Sequence, residues 1–152
     1  MTSELNSADR ERIIQAIETI GSGIDRLVEI RDSTTRQEYH SSPDKQDIVE
    51  RRFVKITGAA IDIGRVLLDD RDSAAIGSPT TMRSLSDQDI LEEELASKMV
   101  AAARFRNVLA HVYGETIDHD VVYDALVDLE RYRAFVHAIH DHLEREGVFE
   151  DA

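Results

Sequence analysis

Residues 104–113 read Arg104-Phe105-Arg106-Asn107-Val108-Leu109-Ala110-His111-Val112-Tyr113. A permanent cation, an amide, a titratable imidazole and a phenol stand close together as Arg106-Asn107-x3-His111-x-Tyr113. This set suits phosphodiester chemistry without a metal. RNA carries its own nucleophile, the 2′-hydroxyl, so its cleavage needs only proton transfer and stabilisation of charge. An imidazole with an ordinary pKa near ~6.5 can serve as general base or acid. A guanidinium can grip a phosphate through two N–H bonds and stabilise the extra charge of the transition state. Asn107 is placed to hold a phosphate oxygen or the imidazole. The product would be a 2′,3′-cyclic phosphate.

Geometry constrains this reading. On a continuous helix Arg106 and Tyr113 are separated by about 700°, nearly in line and roughly 10 Å apart. His111 lies about 140° round the axis from Arg106, so one regular helix does not easily aim both at one phosphate. Either the helix breaks before His111, or a second copy of the chain completes the site in a symmetric dimer. Gly114 makes an ending near here reasonable. Arg104, seven residues before His111, is a further candidate for RNA binding and an alternative stacked partner. By spacing alone the ordinary explanation is favoured: cations near a helix end satisfy its last carbonyls and its dipole.

The elements that position these residues follow from apolar spacing. A first helix runs from about Ser7 to Arg31 with Ile13, Ile17, Ile20, Ile24, Leu27 and Val28 on one stripe. Gly21 and Gly23 interrupt it, at roughly 1 kcal/mol each relative to Ala, and point to close packing or a bend. Residues 32–41 read as a loop. Ser42-Pro43-Asp44 starts a second helix, with a capping hydroxyl, Pro at the first position and an acid at the positive dipole end. It continues to about Leu68 through Val49, Phe53, Ile56, Ala60, Ile63 and Leu67. Residues 71–85, rich in Asp, Ser, Thr, Gly and Pro, read as a long mobile loop.

Ser86 with Asp89 resembles a capping box opening a third helix. Its stripe of Leu91, Leu95, Met99 and Ala102 extends onto Arg106, Leu109 and Tyr113, which places Arg106 and Tyr113 toward a core or interface rather than solvent. Asp118 caps a last helix carrying Val122, Ala125, Leu129, Tyr132, Val136, Ile139 and Leu143, with Gly147 as a stop. The predicted architecture is all-α: a single domain over residues 1–152, folded as an antiparallel four- to five-helix up-and-down bundle.

Composition bounds the rest. A chain of 152 residues is long enough to bury roughly 70% of its unfolded surface. It has no cysteine, so disulfides and thiolate metal sites are excluded. No apolar run is long enough to cross a membrane and the N-terminus lacks a signal-peptide core, so a cytoplasmic location is expected. The formal net charge is -13, from 31 acidic and 18 basic residues, which argues against a broad nucleic-acid face while leaving room for a local arginine cluster. The cations are fifteen Arg and only three Lys, a balance that fits a high-salt cytoplasm.

Other candidates carry blander explanations. His137, His140, Asp141 and His142 gather late in the last helix, and His137 with Asp141 is one turn apart, but a solvated face is the expected role. No Glu-x-x-His pair of the di-iron bundles occurs, so no metal and no cofactor is expected. Glu92-Glu93-Glu94 reads as an exposed run near a helix start. Arg51 and Arg52 extend an RNA- or partner-binding surface or, more simply, pair with neighbouring acids. Asp62 beside the second stripe is equally a polar partner inside the bundle or a catalytic group.

The run Arg106-Asn107-Val108-Leu109-Ala110-His111-Val112-Tyr113, followed by Ile117-Asp118 and Val121-Val122-Tyr123, resembles the signature of the HEPN superfamily, in its HepT-like branch. Glu50-Arg51-Arg52-Phe53 leading to Ala60-Ile61-Asp62-Ile63, and Ile90-Leu91 through Glu94-Leu95-Ala96, resemble that branch as well, so the likeness spans roughly Ile13 to Leu143. It implies a bundle that dimerises through the motif-bearing helices and a metal-independent endoribonuclease toxin with Arg106, His111 and Asn107 as its catalytic set. It implies RNA as substrate and, as partner, an MNT-type nucleotidyltransferase antitoxin that blocks the enzyme by adenylylating the motif tyrosine, here Tyr113. The rival from another class is a non-catalytic binding module that only pairs with the nucleotidyltransferase. The acidic composition fits that rival better.

Overall fold

The computed structural model describes residues 5–68, 78–111 and 117–147, with the side chains of Ser78 and His111 left aside. Among them are seven helices and no strand. Helix α1 spans Ser7–Ser33, α2 Arg36–His40, α3 Pro43–Leu67, α4 Ser78–Asp87, α5 Glu93–His111, α6 His119–Val127 and α7 Glu130–Arg145. The long helices α1, α3, α5 and α7 form the expected antiparallel bundle, and the short ones turn the chain between them.

Local chemistry sets most boundaries. The Asn6 side chain accepts from the Asp9 N–H at 2.7 Å and opens α1. The Ser42 hydroxyl accepts from the Lys45 N–H at 3.3 Å, with Pro43 at the first position of α3. Asp118 caps α6, and Gly147, at φ 72°, takes the left-handed conformation that lets α7 stop.

Four expectations are corrected. Residues 32–41 are not all loop, because Thr35 and Glu38 form a reciprocal capping box that makes α2. The loop expected over 71–85 is helical from Ser78, where the buried Thr81, Met82 and Leu85 form a short apolar face; residues 71–77 lie outside the described residues. Ser86 and Asp89 do not cap the third long helix. Ser86 is inside α4, and Asp89, at φ 59°, sits in the turn that ends it, where the Leu85 carbonyl accepts the N–H groups of Ile90 and Leu91. The last helix is broken at Asp128 and Leu129 into α6 and α7, and the stripe of apolar residues runs on through the break.

Close approaches register α3 against its neighbours. A Cβ on Gly23 would collide with the Ile56 side chain, so α1 meets α3 there; a Cβ on Gly21 would stand in open space. At the other end of α3, a Cβ on Gly64 would lie 2.8 Å from Thr81 Cγ2 and 3.2 Å from Leu85 Cδ1. Phe53 is fully buried at the centre, its ring 5.5 Å from that of Phe105 and 6.2 Å from that of Tyr132. Asp62 serves as a structural tie: Arg12 on α1 grips both its carboxylate oxygens, with Nε to Oδ2 at 3.1 Å.

Candidate functional site

Helix α5 carries the motif to its C-terminal end. Arg106 is half-buried, as its place on the apolar stripe predicts, and one of its terminal nitrogens donates to Asn107 Oδ1 at 3.4 Å. Its Nε is buried without a hydrogen-bond partner among the described residues. Asn107 is half-buried and Arg104 exposed. Among the described residues no carboxylate forms an ion pair with Arg104 or Arg106. Both guanidiniums therefore lack an acidic partner among the described residues of a chain of net charge -13.

The helix runs unbroken through His111. Of the two geometric solutions, a break before His111 is therefore excluded. Arg106 and His111 leave one regular helix about 140° apart. The His111 side chain, Tyr113 and Gly114 lie outside the described residues.

At the same end of the bundle, the α2–α3–α6 corner gathers groups that no linear spacing signals. Glu50 on α3 faces His119 on α6, with Oε2 and Nδ1 3.8 Å apart and the side chains 19% and 27% exposed. Burial pushes the Glu50 carboxyl up, His119 draws it down and Asp47 raises it again. Tyr39 is fully buried beside them, its hydroxyl without a partner among the described residues. Burial, followed by the charges of Glu50 and Asp47, raises its phenol well above the ordinary value. The Tyr39 and His40 rings each stand edge-on to that of His119 at 6.2 Å.

A charged clamp holds this corner from outside. Arg36 donates to Asp120 at 3.1 Å and to Asp124 at 2.7 Å, and its guanidinium lies 4.6 Å from the centre of the Tyr123 ring. His40 Nε2 meets the same Asp120 oxygen at 2.7 Å, and the Tyr123 hydroxyl donates to the Thr34 carbonyl at 2.9 Å. Sequence reasoning passed over Glu50 and His119 as chemistry because they are far apart in the chain and neither lies on an apolar stripe.

The remaining candidates resolve simply. His140, Asp141 and Glu144 bring ligand atoms within 4.8 Å of one another, but all three are exposed. The pairs His137–Asp141 at 3.4 Å and His140–Glu144 at 3.7 Å give that face its ordinary explanation. Arg51 is exposed and Arg52 half-buried, and among the described residues neither makes the surface ion pair expected of it. No described helix is long and apolar enough to cross a membrane.

The model of the family described as Ribonuclease HepT-like matches residues 20–139. The tRNA nuclease HepT of Aphanizomenon flos-aquae (strain 2012/KM1/D3) is 33% identical over 131 residues, covering 84% of this chain and 86% of that protein. This chain therefore belongs to the HepT-like ribonuclease family of the HEPN superfamily. Solved structures share the fold. A toxin–antitoxin with AMP-PNP aligns with TM-score 0.75 at 20% identity, over 86% of this chain and 98% of that chain. A tri-AMPylated Shewanella oneidensis HEPN toxin in complex with MNT antitoxin aligns with TM-score 0.73 at 21% identity, over 86% and 97%.

Proposed function

We propose that this protein is a metal-independent endoribonuclease, the toxin half of a toxin–antitoxin pair, acting on RNA in the cytoplasm as a homodimer. His111 takes the proton of a 2′-hydroxyl, whose oxygen attacks the adjacent phosphorus. Arg106 holds the phosphate in its fork and stabilises the charge that develops, and Asn107 positions a phosphate oxygen. The bond to the 5′-oxygen breaks, leaving a 2′,3′-cyclic phosphate and a 5′-hydroxyl end. Arg104, exposed on the same helix, adds a phosphate contact.

The observation that carries this reading is the state of Arg106. It is half-buried, with Nε unpartnered and no carboxylate paired to it among the described residues, in a chain of the HepT-like family. A helix continuous through His111 favours a second copy of the chain as the way to complete the site. Tyr113 is the site of regulation: a nucleotidyltransferase antitoxin of MNT type transfers AMP to its hydroxyl, and the added charge and bulk repel an RNA phosphate. The AMPylated HEPN toxin among the structural relatives supports this part.

The test is cleavage of total RNA in EDTA by wild type and His111→Ala, with intact mass recorded for both. The expected result is cleavage by unmodified wild type alone, leaving cyclic phosphate ends. No cleavage by unmodified protein would overturn the reading in favour of the binding module, which the charge of -13 favours. A mass increased by an AMP group on inactive protein would locate the enzyme in its blocked state, and removal of that group should restore cleavage.

A further inference from the structure

Transesterification of RNA moves two protons: one leaves the 2′-hydroxyl and one joins the departing 5′-oxygen. The motif supplies one imidazole per chain. A second imidazole, His119, stands at the same end of the bundle and outside the motif. Its Nδ1 is buried against Glu50, so the exposure of the ring belongs to its other atoms. A carboxylate facing one ring nitrogen favours a charge on the imidazole and leaves the other nitrogen for outside work.

Register sets Glu50 and Arg106 on one side of α3 and α5. Phe53 faces Phe105 across antiparallel α3 and α5. With about 100° per residue, Arg106, one position on, and Glu50, three positions back, fall on the same side of the helix pair. The corner also behaves as an incomplete polar site. Glu50 and His119 stand 3.8 Å apart, beyond a hydrogen bond, and the fully buried Tyr39 hydroxyl has no partner among the described residues. Arg36, by contrast, has two carboxylates on the outer face of the same corner.

We propose that His119 is the proton donor to the leaving 5′-oxygen in RNA cleavage and that Glu50 is the positioning residue that holds its ring. This rests on the ribonuclease reading above. His111 removes the 2′-proton, the new P–O2′ bond forms as the P–O5′ bond breaks, and the His119 imidazolium protonates the 5′-oxygen. The proton gained by His111 and the one lost by His119 re-equilibrate through water, so the cycle closes without a further reagent. Tyr39 backs the ring edge-on from the core side.

The test uses a leaving group that needs no proton. The full-length protein is first given bulk tRNA and its cleavage position mapped. A short RNA copying that position is then made in two forms, one ordinary and one with sulfur replacing the bridging 5′-oxygen. On ordinary RNA, His119→Ala and the bulkier His119→Gln should each slow cleavage about 100-fold or more, and Glu50→Gln about 10-fold. On the sulfur-bridged RNA all three should come within a few-fold of wild type, while His111→Ala should stay slow on both. Helicity and melting recorded for each variant identify those that are folded. Equal slowing of the folded His119 variants on both substrates, or none, would overturn the assignment and leave the ribonuclease reading intact. If wild type cuts no tRNA, both readings fall together.

Discussion

Thr57 and Tyr132 meet in the middle of the bundle and share a hydrogen bond at 2.8 Å, whereas Tyr39, at the α2–α6 end, buries a hydroxyl that no described residue satisfies. Both phenols are fully buried, and burial raises the pKa of both. The difference lies in what surrounds them. Tyr132 on α7 pairs with Thr57 on α3, and Asp62 on α3 is tied to Arg12 on α1. Around Tyr39 and along the adjoining end of α5, the Arg106 Nε and the His119 Nδ1 are buried without hydrogen-bond partners among the described residues. An unmade hydrogen bond in the interior costs roughly 1–3 kcal/mol, and the Nε atoms of Arg10, Arg65 and Arg131 also stand without partners among the described residues, so such groups are not confined to this end.

The comparison breaks most visibly at Arg106. Arg106→Ala should reduce RNA cleavage by about 100- to 1000-fold, the scale of removing one donor to developing charge, with little change in melting temperature. Loss of melting temperature in proportion to loss of rate would make Arg106 a structural residue and erase the distinction between the two regions. A second effect belongs to the packed region alone. Gly23→Ala drives a methyl into Ile56 and should destabilise by about 1–3 kcal/mol in denaturant titration, while Gly21→Ala, in open space, should stabilise by up to about 1 kcal/mol.

The two tyrosines sharpen the contrast directly. Tyr132→Phe strands the buried Thr57 hydroxyl and should cost about 1–2 kcal/mol. Tyr39→Phe removes an orphan and should be neutral or stabilising, measured the same way. Equal costs would mean that Tyr39 is satisfied after all.

The smallest effect expected is a pH dependence of the outer clamp. The hydrogen bond from His40, then that from Arg36, hold the Asp120 carboxyl below its ordinary value of 3.8. Its contribution is therefore present above that value and is lost as pH falls through the lowered one. Glu50 has the opposite sign, because burial raises its carboxyl; what it contributes is present below the ordinary range and is lost as pH rises through the raised value. Asp120→Asn should shallow the acid limb of a stability–pH curve slightly, the clamp being well exposed. An unchanged limb would remove Asp120 from the account.

The stripes that predicted four long helices are legible because one period holds across many residues; α1 and α3 end within about two residues of their expected bounds. The short helices are not. Five residues of α2 cannot show a stripe, and α4 hides its buried Thr81, Met82 and Leu85 among Ser, Thr and Pro. Ser86 and Asp89 misled because a capping pattern is only as good as the turn it sits in. The half-burial of Arg106 was legible, since it continues a stripe. The approach of Glu50 to His119 was not, because only the packing of α6 on α3 brings them together.

The hydrogen bond between Thr57 and Tyr132 also sets an order in time. It joins residues 75 apart, and Phe53, which supports Phe105 on the motif helix, is covered by the same Tyr132 ring. A ribosome adding roughly 5–20 residues per second exposes α5 seconds before α7 exists to cover Phe53. In that interval the motif helix has been translated but its support has not, so the packed form of α5 must await the synthesis of α7. A message cut short before α7 would yield a chain that lacks the side chains closing the core over Phe53.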